Sequence, residues 1–259
     1  MVGKLRSTGI FAQPGRVKLL DRDHATDYLA GMSPRWLYLH GFASGPDSTK
    51  GTTLAVHFAT LGVDLHRMNL RVPSMAHLRL SAMIDTVQAA IGGPEDRAIL
   101  FGSSLGGLVA ARVAERDPRV VALVLLAPAF RMAQRWRARR PVEVRDWERT
   151  GWLRVDDHAI GDTVDIDWGF FADAEATDRA NDGWPDVRVP TVIIHGSGDD
   201  VVDIDHSRTY AWSRPHVRLV EVEDGHELRD SLGVIAAEAQ ALLTPWMPGP
   251  DEAPTRIDP

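Results

Sequence analysis

The chain has 259 residues, of which 44% are hydrophobic and 25% charged, no cysteine, and a formal net charge of -7. The lack of cysteine excludes disulfide frameworks, thiolate metal centres, iron–sulfur clusters and cysteine nucleophiles. The acidic balance speaks against a non-specific nucleic-acid binder. The longest apolar run, Val120–Phe130, falls well short of the roughly 20 residues a transmembrane helix needs. Met1–Phe11 carries Lys4 and Arg6 with no apolar stretch behind them. No secretory signal is expected, and the reading is a cytoplasmic protein with neither a nucleic-acid nor a membrane partner.

Residues 1–33 read as an N-terminal extension with a hairpin near Pro14-Gly15. Trp36–Leu39 is a strand-like run that ends at His40-Gly41, and Val63–Met68 is a second, interrupted by His66 and Arg67. From Leu80 on, Met83, Ile84, Val87, Ala90 and Ile91 fall at three- and four-residue spacing, which predicts an amphipathic helix stopped by Gly92-Gly93-Pro94. Ala98–Phe101 is a short buried strand, Leu105–Val113 a helix of small residues, and Val120–Leu126 the most apolar strand. Val192–Ile194 and Val217–Val222 supply two more strands, and Leu228–Leu243 a closing helix. Strands alternating with helical patterns predict a mainly parallel sheet flanked by helices.

Residues 131–185 break this rhythm and are expected to form a lid or cap inserted after the strand ending near Leu126. They hold five of the eight tryptophans: Trp136, Trp147, Trp152, Trp168 and Trp184. The aromatics, with Phe170 and Phe171, are expected to form the core of the insertion rather than a pocket. Arg131, Arg135, Arg137, Arg139 and Arg140 open it, and they read as a solvated helix face partly neutralised by Glu143, Asp146 and Glu148. The main domain is expected to span 1–245, followed by a disordered tail over 246–259, since Thr244–Pro259 carries five prolines and no apolar period.

One motif decides the functional reading. Ala98–Phe101 leads into Gly102-Ser103-Ser104-Leu105-Gly106-Gly107, an apolar strand followed by G-x-S-x-G and then a helix. A serine on such a strand-to-helix turn projects its hydroxyl above the sheet, and the helix N-terminus points free N–H groups at a developing oxyanion. Glycine is needed on both sides because side chains at Gly102 and Gly106 would collide with the neighbouring strand and helix. Ser103 lacks these flanks and reads as a small spacer beside Ser104.

Three further pieces stand in the order such a site requires. Tyr38-Leu39-His40-Gly41-Phe42 ends an earlier strand and offers the N–H of Phe42 beside that of Leu105. Ile193-Ile194-His195-Gly196-Ser197-Gly198-Asp199-Asp200 ends a later strand in carboxylates. Val222-Glu223-Asp224-Gly225-His226 ends the last strand in a histidine. Ser104, Asp199 and His226 are thus the expected nucleophile, orienting acid and general base, with Phe42 and Leu105 N–H groups as oxyanion hole. Asp200 and Asp203 remain rival acids, and Asp224 and Glu227 read as solvated loop charges. His40 and His195, each before a glycine at a strand end, are expected to tie loops. No metal-binding histidine pattern occurs, and no cofactor is implied.

These motifs resemble the α/β-hydrolase superfamily. More narrowly, Tyr38–Ser44 with Pro46, Ser48 and Lys50, followed by Gly102–Gly107, is similar to small bacterial esterases that carry a YLHGF loop and a GSSLGG elbow. The elbow and the His195–Val202 loop also look like those of mitochondrial acyl-protein thioesterases of the same fold. The resemblance covers about residues 35–130 and 190–243, and departs from the usual pattern at Asp203, where a proline often stands. It implies an α/β-hydrolase fold and cleavage of a small-molecule carboxylic ester through an acyl-enzyme on Ser104. The alternatives are a thioesterase using the same residues and a non-catalytic binding member of the fold. The sequence is silent on oligomeric state.

Overall fold

A computed structural model describes residues 33–249. The expected hairpin near Pro14-Gly15 and the tail from residue 250 on lie outside them. Within these bounds the chain runs β1 (Arg35–Leu39), α1 (Thr49–Ala59), β2 (Leu65–Met68), α2 (Leu80–Ile91), β3 (Ala98–Ser103), α3 (Leu105–Arg116) and β4 (Val120–Leu126). The insertion follows as α4 (Met132–Arg139), α5 (Pro141–Thr150), β5 (Trp152–Asp157), β6 (Asp162–Asp167) and α6 (Gly169–Thr177). The chain returns through β7 (Thr191–Gly196), α7 (Asp205–Trp212), β8 (Val217–Val222) and α8 (Leu232–Leu243).

Six strands form one sheet in the order β2-β1-β3-β4-β7-β8, all pairs parallel. Each crossover is long enough to hold a helix, as parallel pairing requires. The two-residue period of a strand separates the core into two layers. Leu37, Leu39, Leu100, Leu123, Leu125 and Ile193 face one side, where α2, α3 and the insertion pack. Trp36, Tyr38, Ile99, Phe101, Val124 and Ile194 face the other, against α1 and α8. The central strands β3 and β4 are apolar on both faces because both faces are covered. Each such side chain contributes about 1.5–3 kcal/mol on burial.

The helix predicted from Leu80 is present, and its buried residues Leu80, Met83, Ile84, Val87 and Ile91 make one stripe. It stops at Gly92, whose φ of 101° only glycine adopts readily. Outside the insertion, two helices escaped the sequence reading. In α1 the inward positions include Lys50 and Gly51, so the apolar stripe is broken. The α7 helix buries only Ser207 and Tyr210 along its length.

The insertion is more regular than expected. Instead of lacking alternation, Trp152–Asp157 pairs antiparallel with Asp162–Asp167, and the burial of Trp152–Asp157 alternates up to its buried last residue. The sequence hides this because the strand's two ends run against the pattern, with Trp152 exposed and Asp157 buried. Trp147, Phe170 and Phe171 are buried in the middle of the insertion, and the Trp147 indole N–H donates to Ile166 O at 2.9 Å. These aromatics form its core, as expected.

Candidate active site

Ser104 follows directly on β3 and caps α3 with φ 52° and ψ -113°, a region an L-residue adopts only under strain. The strain is held by packing and by backbone bonds. Ser104 N–H donates to Leu126 O at 2.8 Å, and Ser104 O accepts from Ala129 N–H at 3.0 Å. A Cβ on Gly102 would overlap Gly106 O, and one on Gly106 would overlap Leu39 O. The collisions expected at both glycines are therefore with α3 and with β1. Ser103 is buried under Tyr38. Burial pushes the Tyr38 phenol up to about 12, despite bonding to Ser48 and Ser103.

The three distant loops meet at the C-terminal end of the sheet. His226 Nε2 lies 3.0 Å from Ser104 Oγ, and His226 Nδ1 lies 2.7 Å from Asp199 Oδ2. Asp199 is sealed, and its Oδ1 accepts from Val201 N–H at 2.9 Å and Val202 N–H at 2.8 Å. Burial pushes the Asp199 carboxyl up, but bonds from His195, His226 and the Val202 N–H outweigh it and hold the carboxyl well below the ordinary 3.8. The carboxylate is thus ionised beside the His226 ring. The rivals stand elsewhere: Asp200 is exposed, and Asp203 Oδ1 accepts from Asp205 N–H at the start of α7.

The N–H groups of Phe42 and Leu105 donate to no other group among the described residues. Leu105 is the first residue of α3, where helical geometry leaves the N–H without a partner. The loop carrying Phe42 is tied by His40, whose Nδ1 donates to Gly41 O at 2.9 Å while Nε2 accepts from Leu70 N–H at 3.0 Å. Burial pushes the His40 imidazole down, which suits this neutral, two-bond role. The ring of Phe42 stacks on Phe170 at 5.5 Å and meets Trp136 edge-on at 5.6 Å, so the insertion covers the loop that carries Phe42.

Three residues carry more than the sequence suggested. Asp224 stays partly exposed, yet its carboxylate accepts from Gly225 N–H, Asp230 N–H and Ser231 Oγ and shapes the loop around His226. Glu227 is likewise partnered. Lys50, buried, donates to Glu227 O at 2.9 Å and to Glu227 Oε2 at 3.3 Å, anchoring the residue next to His226. The available signal was that Lys50 is one of three lysines, with Lys4 and Lys18, in a chain that otherwise uses arginine. His195 donates its Nε2 proton toward Asp199 Oδ2 (3.1 Å) and Val202 O (2.9 Å).

His195 also meets Ser207 Oγ through Nδ1 at 2.7 Å, so Ser207, His195 and Asp199 form a second hydrogen-bonded Ser-His-Asp set. Ser207 and His195 are completely buried, and the ring is turned so that Nε2, not Nδ1, faces the acid. Ser104, by contrast, is only half-buried. The second set instead fixes the common carboxylate.

A parallel sheet that gathers a serine, a histidine and an aspartate at its C-terminal edge is the architecture of the α/β-hydrolase fold. The chain belongs to the family described as Uncharacterised protein family (UPF0227), whose model matches residues 35–241. No curated protein matches the chain. Among solved structures, mouse alpha/beta hydrolase domain-containing protein 10 is 19% identical with a TM-score of 0.65, covering 83% of this chain and 91% of its own. Est1E from Butyrivibrio proteoclasticus is 18% identical, with a TM-score of 0.59 and coverage of 82% and 88%. The monoacylglycerol lipase of Paleococcus ferrophilus is 16% identical, with a TM-score of 0.59 and coverage of 82% and 96%. At these identities the likeness is one of fold. Among the described residues no helix is long and apolar enough to cross a membrane.

Proposed function

We propose that the protein is a serine hydrolase of small carboxylic esters, with Ser104, His226 and Asp199 in the roles of nucleophile, general base and orienting acid. The observation that carries this reading is the continuous relay from Ser104 Oγ to His226 at 3.0 Å and on to Asp199 at 2.7 Å. His226 Nε2 takes the hydroxyl proton as Oγ bonds to the ester carbonyl carbon. The carbonyl oxygen becomes the oxyanion, received by Phe42 and Leu105 N–H. Collapse of the tetrahedral intermediate breaks the bond to the alcohol, which leaves with the proton from His226. Water then gives its proton to His226, attacks the acyl-enzyme and releases the acid, returning the proton to Ser104. Residues 131–185 act as the cap over this site, within a domain that ends near residue 245.

The likeness of the Tyr38–Ser44 loop, with Pro46, Ser48 and Lys50, to small bacterial esterases supports ester over thioester, whereas the elbow is shared by both. The complete relay supports an enzyme over a binding module. The test is hydrolysis of p-nitrophenyl acetate by the wild type and Ser104→Ala. A loss of kcat of at least about 10³-fold with unchanged melting temperature is expected. Undiminished activity in the variant would refute the assignment.

A further inference from the structure

The arginine run opening the insertion does not behave as one solvated face. Arg131 pairs with Asp182 at 3.0 Å, Arg137 with Glu175 at 2.7 Å and Arg140 with Glu143 at 3.3 Å. Arg139 donates to the carbonyls of Val201 and Asp200. Arg135 differs from all of them. It is only 7% exposed, and its Nε and Nη1 atoms have no hydrogen-bond partner among the described residues.

A buried guanidinium without a partner is costly, and proteins retain one mainly where something else completes it. The acids in its vicinity are committed elsewhere: Asp199 to two histidines and two N–H groups, and Asp203 to the Asp205 N–H. Arg135 faces a cleft of about 470 Å³ lined also by Arg131, Gln134, Arg139, Asp203 and His206. Three guanidinium groups thus share the cleft with one carboxylate. Its volume suits an organic ligand rather than a lone ion. The planar fork of arginine matches the oxygens of a carboxylate or a phosphate.

The helix that lines the cleft also reaches the loops of the candidate active site. Helix α4 touches the oxyanion loop through Trp136 on Phe42, and the acid loop through Arg139 on Asp200 and Val201. Arg135 immediately precedes Trp136 and lies one helical turn before Arg139. We propose that this cleft binds the anionic end, carboxylate or phosphate, of the ester that Ser104 cleaves, with Arg135 as its principal ligand. The inference rests on the hydrolase reading for the substrate's other end, but the binding of an anion does not.

The experiment compares mono-p-nitrophenyl glutarate with p-nitrophenyl pentanoate in wild type, Arg135→Met, Arg135→Lys and the surface control Arg149→Gln. The ratio of kcat/KM for charged over neutral ester is expected to fall at least about tenfold in Arg135→Met, less in Arg135→Lys, and not at all in Arg149→Gln. An unchanged ratio in a folded Arg135→Met protein would overturn the proposal. Methionine removes a buried unpaired charge, so a melting temperature at or above that of wild type is expected. If neither ester is turned over, the hydrolase reading fails and a binding measurement decides the cleft. Calorimetric titration of Ser104→Ala with glutarate and with inorganic phosphate then distinguishes the two anions. Heat from either that disappears in the Ser104→Ala, Arg135→Met protein supports the site, whereas no heat, or heat that persists, refutes it.

Discussion

Ser104 holds a backbone conformation that costs about 1–3 kcal/mol for a residue with a side chain, and its surroundings explain why the cost is tolerated. Two glycines let α3 and β1 approach within overlap distance of any Cβ, and Leu126 and Ala129 fix the peptide on either side. This much was legible in the sequence, because the chemistry of the turn allows few residues at Gly102 and Gly106. The partners of Asp199 were less legible. Its role followed from its place in the loop, whereas the second imidazole, His195, depends on where α7 brings Ser207. The carboxyl is held below its ordinary 3.8, so the folded protein binds fewer protons than the unfolded chain as pH falls toward that value. Its contribution to stability is therefore full above about pH 5 and is lost as the pH drops further. Urea midpoints measured at about pH 5 and about pH 3 should converge less steeply with pH in Asp199→Asn than in wild type. Identical slopes would show that the carboxylate is not depressed.

At the scale of elements, the insertion is sewn to the body through pairs far apart in the chain. Asp157, buried at the end of β5, accepts from Arg71 Nη1 at 2.8 Å, and Asp167 on β6 accepts from Arg79 Nη1 at 2.6 Å. Ser81 bonds both oxygens of Asp173 on α6, and His158 N–H donates to Ala43 O in the oxyanion loop. None of this could be read from spacing, because each pair joins segments 86 to 115 residues apart. The same holds for α1, whose buried Lys50 makes sense only once the histidine loop lies beside it. The clamps fix the insertion to the loop that carries Phe42 and Ala43. Asp157→Asn, which leaves Arg71 without its charged partner, is expected to cost about 2 kcal/mol and to lower kcat through the loop at Ala43. Asp165→Asn, breaking the exposed pair with Arg154, should leave both stability and kcat where they were. Equal effects of the two substitutions in denaturation and turnover would remove the clamp from the account.

Across the whole molecule, three β-strand ends, those of β3, β7 and β8, deliver the serine, acid and histidine to one edge of one sheet. The order of strands and the order of motifs in the sequence agree because a parallel sheet places every strand's C-terminal end on the same side. That geometric fact made the site legible before the fold was known. It does not by itself choose between Ser104 and Ser207, which both bond an imidazole attached to Asp199. Access chooses, and access can be measured. The native protein should be treated with a fluorophosphonate, which phosphonylates a serine activated by its histidine, and the modified residue located by peptide mass spectrometry. A single adduct on Ser104, absent from the His226→Ala protein, is the expected result. An adduct on Ser207, or none in a preparation that hydrolyses esters, would contradict the assignment of the nucleophile.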